Sequence, residues 1–282
     1  MVIKAYKGFN KDMTCRGFQY EEGKDYETNS VKVCKKGFHA CEYPLDVFRY
    51  YEPSKSVFHE VELDGDIDKD IDNTKVSSTK IHIGARLDIV GLVNASIDYV
   101  KSKCAKKNNS TDYWSANSAT GDWSANSATG YRSANSATGY WSANSATGDG
   151  SANSATGYGS ANSATGDGSA NSATGDRSAN SATGDGSANS ATGDWSANSA
   201  TGYGSANVST GSNCINESNG EAGISVCWGS DSKAKGEIGN YLVLSEWKDG
   251  ILINAKMRNV DGKYIKANTL YMLKDGKFVE VE

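Results

Sequence analysis

Three groups of residues in this 282-residue chain have types and spacings that could do chemistry. The first is the acidic run DGDIDKDIDN, Asp64 to Asn73. Asp64, Asp66 and Asp68 alternate as the first oxygen ligands of an EF-hand loop do, but such a loop needs Gly at its sixth position and Glu at its twelfth. Lys69 and Lys75 stand there, so the run reads as a solvated loop. The second group is Cys15, Cys34, His39 and Cys41, whose thiols and imidazole are the ligand types of tetrahedral zinc. The C-x4-H-x-C spacing matches no standard ribbon or finger, and no metal site is assigned. The third group stands at the two variable positions of a nine-residue repeat: Trp114, Trp123, Tyr131, Arg132, Tyr140, Trp141, Arg177 and Trp195. Trp, Tyr and Arg are the usual anchors of binding interfaces, and these lack an obvious core to enter. They are the candidate binding residues. No catalytic motif is complete, so the expected chemistry is binding, without a cofactor.

The repeat itself must position that third group. SANSATG begins at Ser115 and returns every nine residues, unchanged, until Gly202. A period of nine is too short for a helical solenoid and out of phase with heptads. Two nonapeptides, about 18 residues, suit one coil of a β-solenoid. SANSAT would form a short strand, and glycine with the two variable residues would form the turn. Strands in neighbouring coils lie about 4.8 Å apart, so five or so coils would make a rod on the order of 25 Å long. Ser, Thr and Asn can stack on themselves in hydrogen-bonded ladders, and alanine fits a narrow interior. Alanine burial at about 0.8 kcal/mol per methyl-sized group cannot offset about 1–2 kcal/mol of backbone entropy per residue. The ladders must supply the remainder. Residues one coil apart share an edge, which places Trp123 over Trp141 and Trp114 over Arg132, with Gly150, Gly159 and Gly168 as a spacer beyond them.

The flanks divide the chain further. An α+β domain is expected over 1–104, a polar junction over 105–112, the solenoid over 113–236 and a small antiparallel β meander over 237–282. VFHEVEL alternates as a strand, with Val57, Val61 and Leu63 on one face. Pro44 and Pro53 bracket a short helix, TKIHIG is another strand, and Val90, Val93, Ile97, Val100 and Cys104 recur at helical spacing. Three Asp-Gly pairs, at Asp249, Asp261 and Asp275, supply the positive φ angles of hairpin turns near YLVLSEW, ILINAKM, KYIKA and KFVEVE. The fold class is therefore mainly β.

Composition narrows the function. A net charge of -5 argues against general nucleic-acid binding, which rewards a basic surface. MVIKAYKGFNKD lacks the apolar core of a signal peptide, and no apolar run is long enough to span a membrane. A soluble chain without membrane partners is expected, in the cytoplasm, and its six scattered cysteines fit reduced thiols. The expected partner is a host protein, with a homo-oligomer as an alternative.

Three resemblances add to this. DSKAKG, with Ser232, Ala234 and Gly236, resembles the S-x-A-x-G units in the β-roll heads of trimeric autotransporter adhesins. YKGF (Tyr6 to Phe9), GFHACEYPLDVF (Gly37 to Phe48), HEVELDGDIDKD (His59 to Asp70) and ARLDIVGLV (Ala85 to Val93) occur in an order similar to small ADP-ribosyltransferases of the rifamycin-modifying type. That resemblance implies an NAD site in which Lys7 stands where the family has histidine, His39 or Phe38 where it has tyrosine, and Asp68 or Asp70 supplies the acid. Finally, Lys7-Gly8-Phe9, CRGFQYE from Cys15, GFHAC, the TG nonapeptides and LVLSEW resemble uncharacterised bacterial and phage-encoded proteins. This implies a mobile-element accessory protein that binds a host macromolecule, in one setting an anti-defence factor. The alternatives are a transferase-like enzyme in the first domain, and ice or carbohydrate binding by the ladder of Thr120, Thr129 and Thr138.

Overall fold

The computed structural model of the chain describes residues 2–70, 73–103 and 107–281. They fall into two units, Met1–Leu92 and Val93–Glu282.

In the first unit the strands are β1 (Ile3–Asn10), β2 (Thr14–Cys15), β3 (Phe18–Gln19), β4 (Asp25–Glu27), β5 (Phe38–Cys41), β6 (Ser56–Lys69) and β7 (Lys75–Leu87). All their pairings are antiparallel. β7 pairs β5, β5 pairs β1, β1 pairs β6, and β6 returns to pair β7, so these four strands close on themselves. Closure removes their sheet edges and seals a core of Ala5, Phe9, Val57, Val61, Leu63, Val76, Ile81 and Ile83. The alternation of VFHEVEL thus forms a strand, as expected. The acidic run corrects its expectation: Asp64 to Lys69 continues β6 and pairs with β7, through an irregularity between Asp64 and Ile67. Ladder hydrogen bonds to β7 hold it extended despite its charge. Residues 71 and 72 of that run lie outside the described residues. The helix opened by Pro44 is a 3-10 helix, Pro44–Arg49.

Helix α1 (Ile89–Lys103) carries the expected stripe, with Val93, Ile97 and Val100 buried beside Leu92. Asp88 caps it by accepting the Gly91 N–H at 2.7 Å. Cys104 lies outside the described residues.

The second unit is the solenoid. Strands β8 (Lys107–Ser110) to β23 (Tyr241–Lys248) pair in parallel with the next strand but one, so even-numbered strands build one sheet and odd-numbered strands the other. The register is strict: Ala125 to Ala128 pair with Ala143 to Ala146, one coil of two nonapeptides. Each face has eight parallel strands, more than five coils provide. The rod runs longer because degenerate repeats such as INES (Ile215–Ser218) and ISVC (Ile224–Cys227) keep the register.

The interior differs from the expected alanine filling. The asparagine of every strict repeat points inward; Asn144, Asn162, Asn180 and Asn198 are fully buried. Each donates from Nδ2 to the Oδ1 of the asparagine one coil on, as Asn144 does to Asn162 and Asn162 to Asn180, both at 3.0 Å. The same Nδ2 donates to a backbone carbonyl of the opposite sheet, Asn162 to Ser172 at 2.8 Å. Buried amides are tolerated because they are hydrogen-bonded. On the face built from odd-numbered strands only the second alanine of each strict repeat after the first is buried, as at Ala137 and Ala155, while Ala134 and Ala152 are exposed.

Both C-terminal hairpins end the solenoid sheets. β23 turns at Asp249-Gly250 into β24 (Ile251–Asn259), and β25 (Tyr271–Lys274) turns at Asp275-Gly276 into β26 (Lys277–Glu280). Asp261-Gly262 makes no hairpin. Asp261 Oδ1 instead accepts the N–H groups of Lys263, Tyr264 and Ile265, holding KYIKA as a loop rather than the expected strand.

Candidate functional site

The turn between strands explains which positions the repeat leaves free. The last residue of each nonapeptide takes positive φ: 50s to low 60s of degrees for Trp114 (φ 61), Trp123 (φ 60), Arg132 (φ 55), Trp141 (φ 55), Arg177 (φ 56) and Trp195 (φ 54). Gly150, Gly168 and Gly186 adopt the same conformation at the equivalent place, at 65°, 63° and 62°. Bulky residues disfavour this region by about 1–2 kcal/mol, yet six are placed in it. The penultimate position is also constrained. Where it is Asp, its Oδ1 accepts the N–H of the next coil's equivalent residue, as Asp149 does for Asp167 at 3.1 Å and Asp167 for Asp185 at 2.9 Å.

One edge of the rod carries a continuous run of rings and cations. Tyr99 of α1 lies 5.7 Å from Trp123, which stacks on Trp141 at 4.8 Å and 15°. Trp141 meets Tyr158 edge-on at 6.4 Å. Arg177 then lies over Tyr158 at 5.2 Å and over Trp195 at 4.3 Å, and donates to the Tyr158 hydroxyl at 2.9 Å. Tyr140 packs against both Trp141 and Tyr158. The glycine expected to interrupt this edge, Gly159, does not. Tyr158 precedes it and fills the place of the missing ring. Residue-by-residue reading missed Tyr158 and Tyr99; tracing both variable positions together at one-coil spacing would have found Tyr158.

The opposite edge is shorter. Arg132 lies 5.0 Å from the rings of both Trp114 and Tyr131, and Tyr113 meets Tyr131 edge-on. Beyond them come Asp149-Gly150, Asp167-Gly168 and Asp185-Gly186, so the spacer exists on this edge alone.

The first unit holds a second candidate, a cavity of about 840 Å³. Six cationic side chains line it, Lys7, Arg16, Lys35, Lys36, Arg49 and Lys75, against one carboxylate, Glu27. Lys7 is buried; its ammonium donates to the His39 carbonyl at 2.8 Å and approaches Cys15 Sγ at 3.6 Å. Burial pushes its pKa down. The Tyr51 hydroxyl donates to the same sulfur at 2.7 Å. Burial pushes the Cys41 thiol and the Tyr51 hydroxyl up, and Tyr20 up to about 12.

The His39 imidazole is held neutral. Burial first, then the ammonium groups of Lys75 and Lys7, pull its pKa down to about 4 from 6.5. Its folded value lies below its unfolded value, so the unfolded chain takes up the extra proton between those limits. Stability should therefore fall as pH drops from 6.5 towards 4. The His39→Gln variant is expected to lose less stability over that interval than the wild type. Parallel urea titrations at both ends of the interval check this; equal losses would remove His39 from the account.

The residues singled out for chemistry separate in space. Lys7, Phe38 and His39 line the cavity, but Asp68 and Asp70 do not. Asp68 accepts the Val33 N–H at 2.8 Å, and Asp70 accepts from Asn73 at 2.8 Å. Cys34 is exposed while Cys41 is buried, and all five described cysteines are free thiols. Among the described residues no three His, Cys, Asp or Glu side chains converge as metal ligands. No described helix is long and apolar enough to cross a membrane.

Fold and sites together define a class: a two-sided parallel β-solenoid with an aromatic edge, joined to a small closed antiparallel sheet that carries a cationic cavity. Residues 3–95 match a family model described as a domain of unknown function (DUF7666). That match takes in the closed sheet and the start of α1 and stops before the repeat. No curated protein and no solved structure matches the chain.

Proposed function

We propose that this chain is a non-catalytic binding protein whose solenoid presents the Trp123–Trp195 edge to a host macromolecule. One observation carries the proposal. Four Trp and Arg residues of that edge, Trp123, Trp141, Arg177 and Trp195, occupy left-handed backbone positions that glycine fills without strain in neighbouring coils. Strain of that kind points to function when the surrounding structure holds it in place. Here cross-coil backbone bonds do so, such as Trp123 N–H to the Tyr140 carbonyl at 2.9 Å and Trp141 N–H to Tyr158 at 2.8 Å. Stacked rings bridged by an arginine give a partly buried surface of the anchor residue types. Its resemblance to phage-encoded proteins makes a cytoplasmic host protein, in particular a defence component, the first partner to test.

The double variant Trp123→Ala, Trp141→Ala is expected to abolish capture of that partner from host-cell lysate. A central aromatic anchor contributes about 2 kcal/mol or more, roughly 30-fold in affinity. The thermal transition should stay nearly unchanged, because alanine is natively accommodated in the same turn conformation at Ala222 (φ 55). Capture that survives would place the interface elsewhere.

A further inference from the structure

We propose that the cavity of the first unit binds a nucleotide, a phosphate-bearing molecule with an aromatic base. This is independent of the solenoid edge.

The charge balance is the first ground. A chain of net charge -5 gathers six cations and one carboxylate around one opening, and of the six Arg49 is already paired, with the buried Asp46 at 3.2 Å. Lys75 is 9% exposed and Lys7 5%. Neither ammonium meets a carboxylate at ion-pair distance among the described residues. Among the described residues Lys75 Nζ has the Tyr50 ring at 4.1 Å, and Lys7 has the His39 carbonyl, the Cys15 sulfur and the nearby rings of Phe9 and Tyr20. A buried charge is costly unless paired, and an anion entering the cavity would pair both. Arg16 and Lys36, both exposed, extend the same sign to the rim.

The walls are the second ground. Tyr20, Phe38, Tyr50 and Tyr51 line the cavity beside the cations, so charge and π surface alternate around it. Inorganic phosphate would use the first and leave the second bare. At about 840 Å³ the space is in the range of small-molecule sites, with room for base, sugar and phosphates together.

His39 supplies the third. It lines the cavity, and its Nε2 is buried without a hydrogen-bond partner. A polar group of a bound ligand would give that nitrogen the partner it lacks.

The test is calorimetric titration of the full-length protein with ATP, GTP, CTP and UTP, and separately with adenosine and with inorganic pyrophosphate. At least one nucleotide should bind with a Kd of about 10–100 μM, and adenosine and pyrophosphate each at least tenfold more weakly. Raising salt should weaken binding. Lys75→Glu should abolish it. Because that residue is buried, the rim variant Arg16→Glu, Lys36→Glu, whose folding is checked by circular dichroism, is the companion. It should weaken binding about tenfold or more. Absence of binding by all four nucleotides at millimolar concentration overturns the proposal. So does pyrophosphate binding as tightly as nucleotides, or a folded rim variant with wild-type affinity.

Discussion

Replacing Asn162 by Asp should break the solenoid near its middle. Asn162 is fully buried, accepts from Asn144 and donates to both Asn180 and the Ser172 carbonyl. A carboxylate can still accept, but it cannot donate. Its lone pairs would face the Ser172 carbonyl and Asn180 Oδ1, two acceptors with no other use for that space. Leaving buried groups unsatisfied costs about 1–3 kcal/mol each, and more when a charge is involved. A total of about 3 kcal/mol or more corresponds to a Tm lower by roughly 6–12 °C for a unit of this size. Repeat arrays couple only through neighbours, so the damage should appear as a broadened or split transition. Burial would raise the new carboxyl's pKa, so the variant should recover part of its stability as pH falls towards 4. A melting temperature within 2 °C or so of the wild type would show that the asparagine ladder contributes little.

Gly157→Ala should be nearly as damaging, and Gly168→Ala mild, although Gly168 is the one with positive φ. A Cβ at Gly157 would stand 1.9 Å from the Gly139 carbonyl oxygen of the preceding coil, whereas one at Gly168 (φ 63) meets nothing within 4 Å. The coil spacing is set by backbone hydrogen bonds on both faces, so the backbone at Gly157 cannot retreat without breaking several of them. Gly168→Ala costs only the left-handed backbone penalty, about 1 kcal/mol. Purified variants compared by thermal unfolding decide this. Equal losses at the two sites would mean that turn conformation, not close stacking, is what the repeat demands.

That contrast revises why the seventh residue of the repeat is always glycine. The sequence suggests a turn former, and Gly121 (φ 105) and Gly139 (φ 127) are in that region. At Gly148, Gly157 and Gly166, where φ is not positive, the requirement is contact instead: each would press a Cβ into the backbone of the glycine one coil before. The positive φ of each turn moves to the ninth residue. Thus a variable position carries the strain and an invariant one carries the close approach.

By itself the sequence determined the solenoid, the two-nonapeptide coil and the edge shared by Trp123 and Trp141. A strict period leaves few registers in which identical small residues can stack, so spacing alone carries that information. It also placed Pro44 at a helix start and Asp249-Gly250 and Asp275-Gly276 at hairpins, because these are local backbone preferences. Only the tertiary structure decided which residues of each nonapeptide face inward, since SANSAT has no strong apolar contrast to mark a face. It alone joined Tyr158 to the aromatic edge, one coil from residues in the other variable position. The clustering of cations around the cavity was not legible for a further reason. Lys7, Arg16, Lys36 and Lys75 follow no spacing rule in the chain; pairing of β5 with both β1 and β7 is what brings Lys7 and Lys75 around one space.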